Sequence, residues 1–233
     1  MQRSAPRPAR LLACAAAATI SAALVTGCSS ASSSSSDKST AGGSASASTS
    51  GSASPSLATA KYQALPEPCR TISATTVTSL VPKAKNASGD AAKSSDSSSR
   101  GGCSWNGLDG YQYRWLDVAL QRFDSVAGIG TAQSQAEKRY AEQLTETKAV
   151  SGAKAEAVTG VGDEATVVTA GVKKDKEQYE NVTVIARTGN VVVTLSYNGA
   201  GFETAKTPKA SALQSDALKA AKEAVASVAA KNA

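Results

Sequence analysis

The sequence predicts an α+β domain with a largely antiparallel sheet, because strand-like segments come in runs that are separated by helical segments. Two further observations support this fold class. Residues 188–190 (Thr-Gly-Asn) join the β-branched segments 182–187 and 191–197, which is typical of a tight hairpin. Apolar residues also recur at helical spacing in residues 131–148 and again from residue 207 to the C-terminus.

Three helices are predicted, each from a start signal or an apolar stripe. Ser73 can cap a short first helix that Pro82 ends, with Ile72 and Val77 placed for a hydrophobic staple. The third helix is expected to start at Thr207-Pro208. The stripes of the two longer helices are Ala132, Ala136, Tyr140 and Leu144, and then Leu213, Ala217, Ala221, Val225 and Val228.

The strands are predicted from period-two alternation and β-branched runs. A strand region opens at residues 103–105 and continues at 113–123, where Leu116, Val118 and Leu120 share one face. Three more strands follow at residues 165–170, 182–187 and 191–197. The charged run 173–177 is expected to be an exposed loop.

The N-terminus has the pattern of an export signal. Arg3, Arg7 and Arg10 precede an apolar stretch at residues 11–25 that is shorter than the ~20 residues of a membrane-spanning helix. It ends in Leu-Val-Thr-Gly-Cys, which resembles the lipobox of bacterial lipoproteins. The resemblance implies that residues 1–27 are removed and that Cys28 becomes an acylated N-terminus, anchored to the extracytoplasmic face of the cell membrane.

Composition divides the rest of the chain. Residues 29–59 are nearly all Ser, Ala, Gly and Thr, and together with Cys28 they are expected to be a lipidated, disordered tether with a reach of ~30 Å. Residues 60–233 contain all ten aromatic residues and are predicted to be the single α+β extracytoplasmic domain. A Ser-rich patch at residues 83–100 is expected to be a solvated excursion from it.

Cys69 and Cys103 flank that excursion. In an exported chain two such cysteines are expected to form a disulfide that staples the domain. The alternative is a redox-active or metal-binding pair, although the chain contains neither a C-x-x-C motif nor a histidine.

Charge and composition exclude several function classes. The absence of histidine removes imidazole general bases and His-ligated metals. The formal net charge of +6 falls to +3 once the three signal arginines are removed, and no basic cluster lies beside aromatic residues. We therefore expect no nucleic-acid partner, no cofactor and no metal.

Three motifs could carry chemistry. Gly160-x-Gly162-x-x-Ala165 matches a dinucleotide fingerprint in letters, but it precedes a strand and is interpreted as a turn. The triplets that begin at Ser151, Tyr179 and Arg187 loosely echo those of penicillin-recognising enzymes, but Ser151 does not open a helix.

Asp163 and Glu164 are the best acidic pair. Because adjacent residues of an extended chain point to opposite faces, we expect them not to share one substrate or ion, and we interpret them as a solvated turn. Trp105 and Trp115 are interpreted as core residues, one of them near the disulfide. The alternative is that the other lines a ligand surface with Tyr111 and Tyr113.

Four motifs carry a family resemblance: Pro68-Cys69, Gly102-Cys103-Ser104-Trp105, the stretch Gly160 to Ala165, and Gly189-Asn-Val-Val-Val. Their order resembles that of a large family of actinobacterial lipoproteins with a domain of unknown function. The resemblance implies a disulfide-bonded α+β domain, of PsbP-like sandwich type, and it assigns no catalytic residue.

The function expected from these observations is that of a non-catalytic binding or interaction module. Its partner would be a protein or small molecule of the cell envelope. Two alternatives remain open, which are an unrecognised cell-envelope hydrolase or transferase and an accessory subunit of an exported complex. Paired acids that converge in a deep cleft would favour the enzyme, and a broad apolar concavity without titratable groups would favour a ligand carrier.

Overall fold

The structure, a computed structural model, describes residues 57–233, in which three α-helices accompany one seven-stranded sheet. Every pair of neighbouring strands is antiparallel, in the order β1-β2-β3-β7-β6-β5-β4. The predicted α+β class is confirmed. The helices are α1 (Ala74–Leu80), α2 (Ala132–Lys148) and α3 (Ala210–Lys231), and the strands are β1 (Asp90–Ala91), β2 (Arg100–Asp109), β3 (Gln112–Arg122), β4 (Lys154–Val158), β5 (Glu164–Lys174), β6 (Glu177–Thr188) and β7 (Val191–Gly201).

One face of the sheet forms the main core. The long helix α3 lies across β6 and β7 on this face. Leu116, Val118 and Leu120 point into the core, as their alternation predicts, and all three are at most 2 % exposed. The α3 residues that meet the sheet are Leu213, Ala217, Ala220, Ala221, Ala224 and Val228. The small side chains of this stripe let the helix approach the sheet closely.

Helix α1 is capped as its sequence predicts, and the cap also joins it to α3. The Ser73 hydroxyl accepts a hydrogen bond from the Thr76 amide at 3.2 Å. Glu223 of α3 accepts hydrogen bonds from the Ser73 amide (2.8 Å) and the Thr76 hydroxyl (2.6 Å). Burial opposes ionisation of Glu223, but these hydrogen bonds hold the pKa of its carboxyl below the ordinary value.

The Ser-rich segment 83–100 differs from the expected solvated excursion. It contains β1, which pairs with the outer edge of β2, and Ala84 forms a further bridge to Gly107. At Gly89, whose φ is +82°, an added Cβ would lie 2.4 Å from Cys103 Sγ. The segment therefore packs over the cysteine. Strand β1 forms because β2 offers it a pairing edge, and the polar composition of the segment does not indicate a strand.

The start of α3 also differs from the prediction. The helix begins at Ala210 after Lys209, which makes no side-chain capping bond. Pro208 packs on β7 instead, since an added Cβ at Gly199 would lie 2.7 Å from the Pro208 ring. Tertiary packing thus overrides the local start signal at residues 207–208.

The first described residues are tied to the end of the sheet at the β6–β7 hairpin. The Tyr62 amide donates to Asn190 Oδ1 at 2.8 Å, and Asn190 Nδ2 donates to the Tyr62 carbonyl at 2.9 Å. Close by, the Ser125 hydroxyl donates to the Ala58 carbonyl at 2.6 Å. The chain therefore enters the domain beside the predicted Thr188-Gly189-Asn190 turn, whose hairpin is confirmed.

Candidate functional site

The second face of the sheet is only partly covered. Helix α2 packs on one end of it, where Ala136 and Tyr140 meet Ile185 and Val192. There the Tyr140 hydroxyl lies 2.7 Å from the Thr166 hydroxyl, within hydrogen-bond distance. Beyond α2 lies an uncovered area that we call the open face. Its residues are Trp115, Asp117 and Ala119 of β3, Val172 of β5, Asn181 and Thr183 of β6, and Thr194, Ser196 and Asn198 of β7.

Strand register places these residues in lateral rows. Trp115 is opposite Asn198, and Asn198 is opposite Asn181. In the next row Asp117 is opposite Ser196, which is opposite Thr183. We call the polar members the polar floor: Asp117, Asn181, Thr183, Thr194, Ser196 and Asn198.

The polar floor is half-buried, yet its side chains have no protein partners. None of the six makes a side-chain hydrogen bond or ion pair with any residue in the part of the chain that the structure describes. Buried and half-buried polar groups are ordinarily hydrogen-bonded to protein, water or ligand. The floor therefore offers a set of free donors and acceptors at the centre of the sheet.

Aromatic side chains lie at one end of the open face. Tyr113 is stacked on Phe202 with ring centroids 5.8 Å apart, and Tyr179 meets both rings edge-on at 6.3 and 6.2 Å. Trp115 stands next to them and remains 38 % exposed. We call these four residues the aromatic end. Their rings provide apolar surface directly beside the polar floor.

Three neighbouring concavities lie along the open face. One of ≈ 500 Å³ lies at the aromatic end, and one of ≈ 230 Å³ lies beside the C-terminus of α2. These two share Asn181 and Asn198 as lining residues. A third, of ≈ 730 Å³, lies over Asp117 and shares Ser196 with the second. We call these three neighbouring concavities the groove, and each of the two larger ones is of a size that binds small molecules.

The charges along the groove are sparse and of both signs. Asp117 is the only acidic residue among those lining the three described concavities, and burial raises the pKa of its carboxyl above the ordinary value. Lys174 lies at the aromatic end, and Lys93, Arg100 and Arg139 lie at the other. Arg139 is already engaged by Glu142 and Glu146.

The acidic pair Asp163 and Glu164 is engaged by one arginine. Both carboxylates bind one guanidinium: Asp163 lies 3.3 Å from Arg187 Nη1, and Glu164 lies 2.5 Å from Arg187 Nε. The Gly189 amide also donates to Asp163 at 2.6 Å. The two carboxylates thus converge on one side chain of the domain, because the turn before β5 brings both toward Arg187 on the neighbouring strand. The expectation that they share no substrate or ion stays a prediction.

The glycine motif serves the same junction. Gly162 has a φ of +67°, and an added Cβ would lie 2.4 Å from the Arg187 carbonyl oxygen. The interpretation of this motif as a turn before a strand is confirmed, since β5 begins at Glu164. These acids and glycines join β5 to the β6–β7 hairpin and lie outside the groove.

The comparisons with known proteins address the family. The family model DUF3558, described as a protein of unknown function, matches residues 23–195 of this chain. The chain belongs to the DUF3558 family. No curated protein and no solved structure matches the chain, so the expected likeness to a PsbP-like sandwich stays a prediction. The DUF3558 match includes both predicted disulfide cysteines and ends within β7, so Ser196 and Asn198 lie beyond it.

The remaining site predictions have different outcomes. Cys69 and Cys103 form the expected disulfide, and Trp105 is buried near it, at 1 % exposure. Cys28, the predicted lipidation site, lies outside the described residues. Among residues 57–233, no helix is long and apolar enough to cross a membrane, and no group of three potential metal ligands occurs.

Sequence reasoning missed the polar floor. The strand at Val191–Tyr197 and its neighbours were predicted from their apolar residues. The polar residues that alternate with these indicate a second, polar face of the sheet. In β7 Thr194, Ser196 and Asn198 alternate with buried residues, which is the period of a strand with one polar face. The sequence does not reveal that two more strands place polar residues beside these.

Proposed function

We propose that this chain is an extracytoplasmic lipoprotein, anchored to the membrane through Cys28, whose domain binds an envelope component without turning it over. The lipoprotein part of this proposal is based on the sequence resemblance to actinobacterial lipoproteins. The observation that carries the binding function is the groove on the open face. It combines unpartnered polar side chains with exposed aromatic rings, as small-molecule sites do.

The two faces of the same sheet support this assignment. Where helices cover the sheet, polar groups have partners: Tyr140 meets Thr166, and the Tyr197 hydroxyl donates to the Leu80 carbonyl at 2.6 Å. On the open face the polar floor has none. An antiparallel sheet can expose one polar face to water, and the side chains of the floor are accessible and free of protein partners. Together with the exposed rings beside it, this accessibility supports assigning the floor to an occupant from outside the domain.

Two observations support the extracytoplasmic location. Disulfides such as Cys69–Cys103 persist mainly in oxidising compartments outside the cytoplasm. The signal-like residues 1–27 and the lipobox before Cys28 give the means of export and attachment. The low net charge after signal removal speaks against a nucleic-acid partner.

Retention of envelope components by matched variants tests the binding function. The full chain, Trp115→Ala and Tyr111→Ala are immobilised and exposed to the same detergent extract of envelopes. Tyr111 is a suitable control because it is 56 % exposed in the β2–β3 turn and does not line the groove. We expect a component that wild type and Tyr111→Ala retain and Trp115→Ala loses. Equal retention by all three chains would contradict the assignment to the groove.

A hydrolase is the second candidate function, and Asp117 is the observation that favours it. Its raised pKa and its lack of a described partner suit a general acid. The purified full chain should be assayed with peptidoglycan fragments, a β-lactam and ester substrates. We expect no product. Turnover that is abolished by Asp117→Asn would replace the binding proposal with the enzymatic one.

A further inference from the structure

We infer that the occupant of the groove is a saccharide, which lies with a ring against Trp115 and its hydroxyl groups on the polar floor. This inference rests on the proposed binding function and names the ligand class for the same site. It follows from the kinds of side chain that the sheet collects there and from their order.

The first argument is the hydrogen-bonding character of the floor. Five of its six residues are Asn, Ser or Thr, which each supply both a donor and an acceptor. A sugar hydroxyl also donates and accepts, so this set matches a polyol at every position. Asp117 adds an acceptor that can receive hydrogen bonds from two hydroxyl groups.

The second argument is the place of the aromatic rings. Trp115 is in the same lateral row as Asn198 and Asn181, so an exposed ring adjoins one amide directly and a second amide lies one strand further on. The C–H groups on one face of a pyranose pack against an aromatic ring, while its hydroxyl groups project from the edge. A ligand seated on Trp115 would therefore reach both amides. Successive rows are about 7 Å apart, so several sugar units could follow the strands.

Other ligand classes fit these residues less well. An acyl chain would displace water from the polar floor without replacing its hydrogen bonds. A strongly anionic ligand could pair with Lys93 or Arg100 at one end of the groove, but along the floor it would also meet the Asp117 carboxylate. A saccharide meets neither difficulty.

Isosteric variants provide the test, with the full chain in detergent as the protein. Maltotetraose, cellotetraose, chitotetraose and mannotetraose are titrated by calorimetry, with oleate as an acyl probe. Thr183→Val and Asn198→Leu remove hydrogen-bonding groups while nearly preserving side-chain volume. Thr145→Val is the matched control, since Thr145 is exposed on α2 and outside the groove. Melting temperatures verify that each variant is folded.

We expect at least one oligosaccharide to bind saturably. Its affinity should fall about tenfold in Thr183→Val and Asn198→Leu and remain unchanged in Thr145→Val. Trp115→Ala should abolish the binding.

Binding of oleate alone, or no binding by any of the four oligosaccharides, would overturn the saccharide class. In that case an envelope component that still depends on Trp115 would leave the binding function intact. If Trp115→Ala also retains that component as well as wild type does, both proposals fail.

Discussion

Replacing Gly162 by alanine should destabilise the fold much more than the same replacement at Gly160. Both glycines precede β5, and both have a positive φ, of +67° and +75°. They differ in what surrounds them. A Cβ at Gly162 would lie 2.4 Å from the backbone oxygen of Arg187, whereas nothing lies within 4 Å of one at Gly160.

The expected magnitudes follow from these surroundings. Alanine in the left-handed region costs about 1 kcal/mol, which is the whole effect expected at Gly160. At Gly162 the turn must also move away from the Arg187 carbonyl, which accepts from the Asp163 amide at 2.8 Å. Losing that bond and the Gly189–Asp163 bond adds about 1 kcal/mol each, so the total at Gly162 is about 3 kcal/mol.

Denaturant titration of wild type and both variants measures the difference. For a domain of this size the losses correspond to melting temperatures lower by about 3 °C at Gly160 and about 9 °C at Gly162. Equal losses at the two positions would refute the reasoning, because they would mean that the clash with Arg187 contributes nothing.

Three further predictions concern single residues. Cys28→Ala should abolish labelling by radioactive fatty acid and release the chain from membranes; retained label would contradict the anchor. Cys103→Ser should lower the free energy of unfolding by about 4 kcal/mol, since the disulfide joins residues 34 apart, and calorimetry checks this; an unchanged melting temperature would contradict it. Asp117→Asn should raise stability at pH 7, because burial disfavours the ionised carboxylate. The gain in stability should decrease as the pH falls through the raised pKa of Asp117 in the folded chain. It should vanish below the ordinary value of 3.8, because the carboxyl is then neutral in both the folded and the unfolded chain. Unfolding midpoints across this pH range test it, and a constant difference would be evidence against it.

Local signals predicted the elements whose stability is largely local or periodic. The Ser73 cap, the alternation of Leu116, Val118 and Leu120, and the hairpin at Gly189 all follow from neighbouring residues, and all three are confirmed. The strands β5, β6 and β7 extend several residues beyond their predicted ends. The outer parts of β5 and β6 carry exposed or charged residues, for which pairing with a neighbouring strand, and not burial, maintains the extended conformation.

The failures have a common physical cause, which is dependence on a distant partner. Strands β1 and β4 are short, largely exposed edge strands without an apolar pattern, so only the adjacent strand reveals them. Asp163 and Glu164 converge because Arg187, more than twenty residues away, lies between them. The polar floor likewise depends on register between β3, β6 and β7. A single sequence contains the members of each set but not their juxtaposition.

The attachment of the first described residues to Asn190 fixes which end of the sheet lies nearest to the N-terminal side of the chain. Tyr62 and Ala58 are secured beside the start of β7, while the aromatic end lies beside Ala200, near its other end. At the usual rise of a strand these two ends are about 30 Å apart. The aromatic end of the groove therefore lies away from the point where the chain enters the domain, so an occupant at Trp115 does not compete with the first described residues for space.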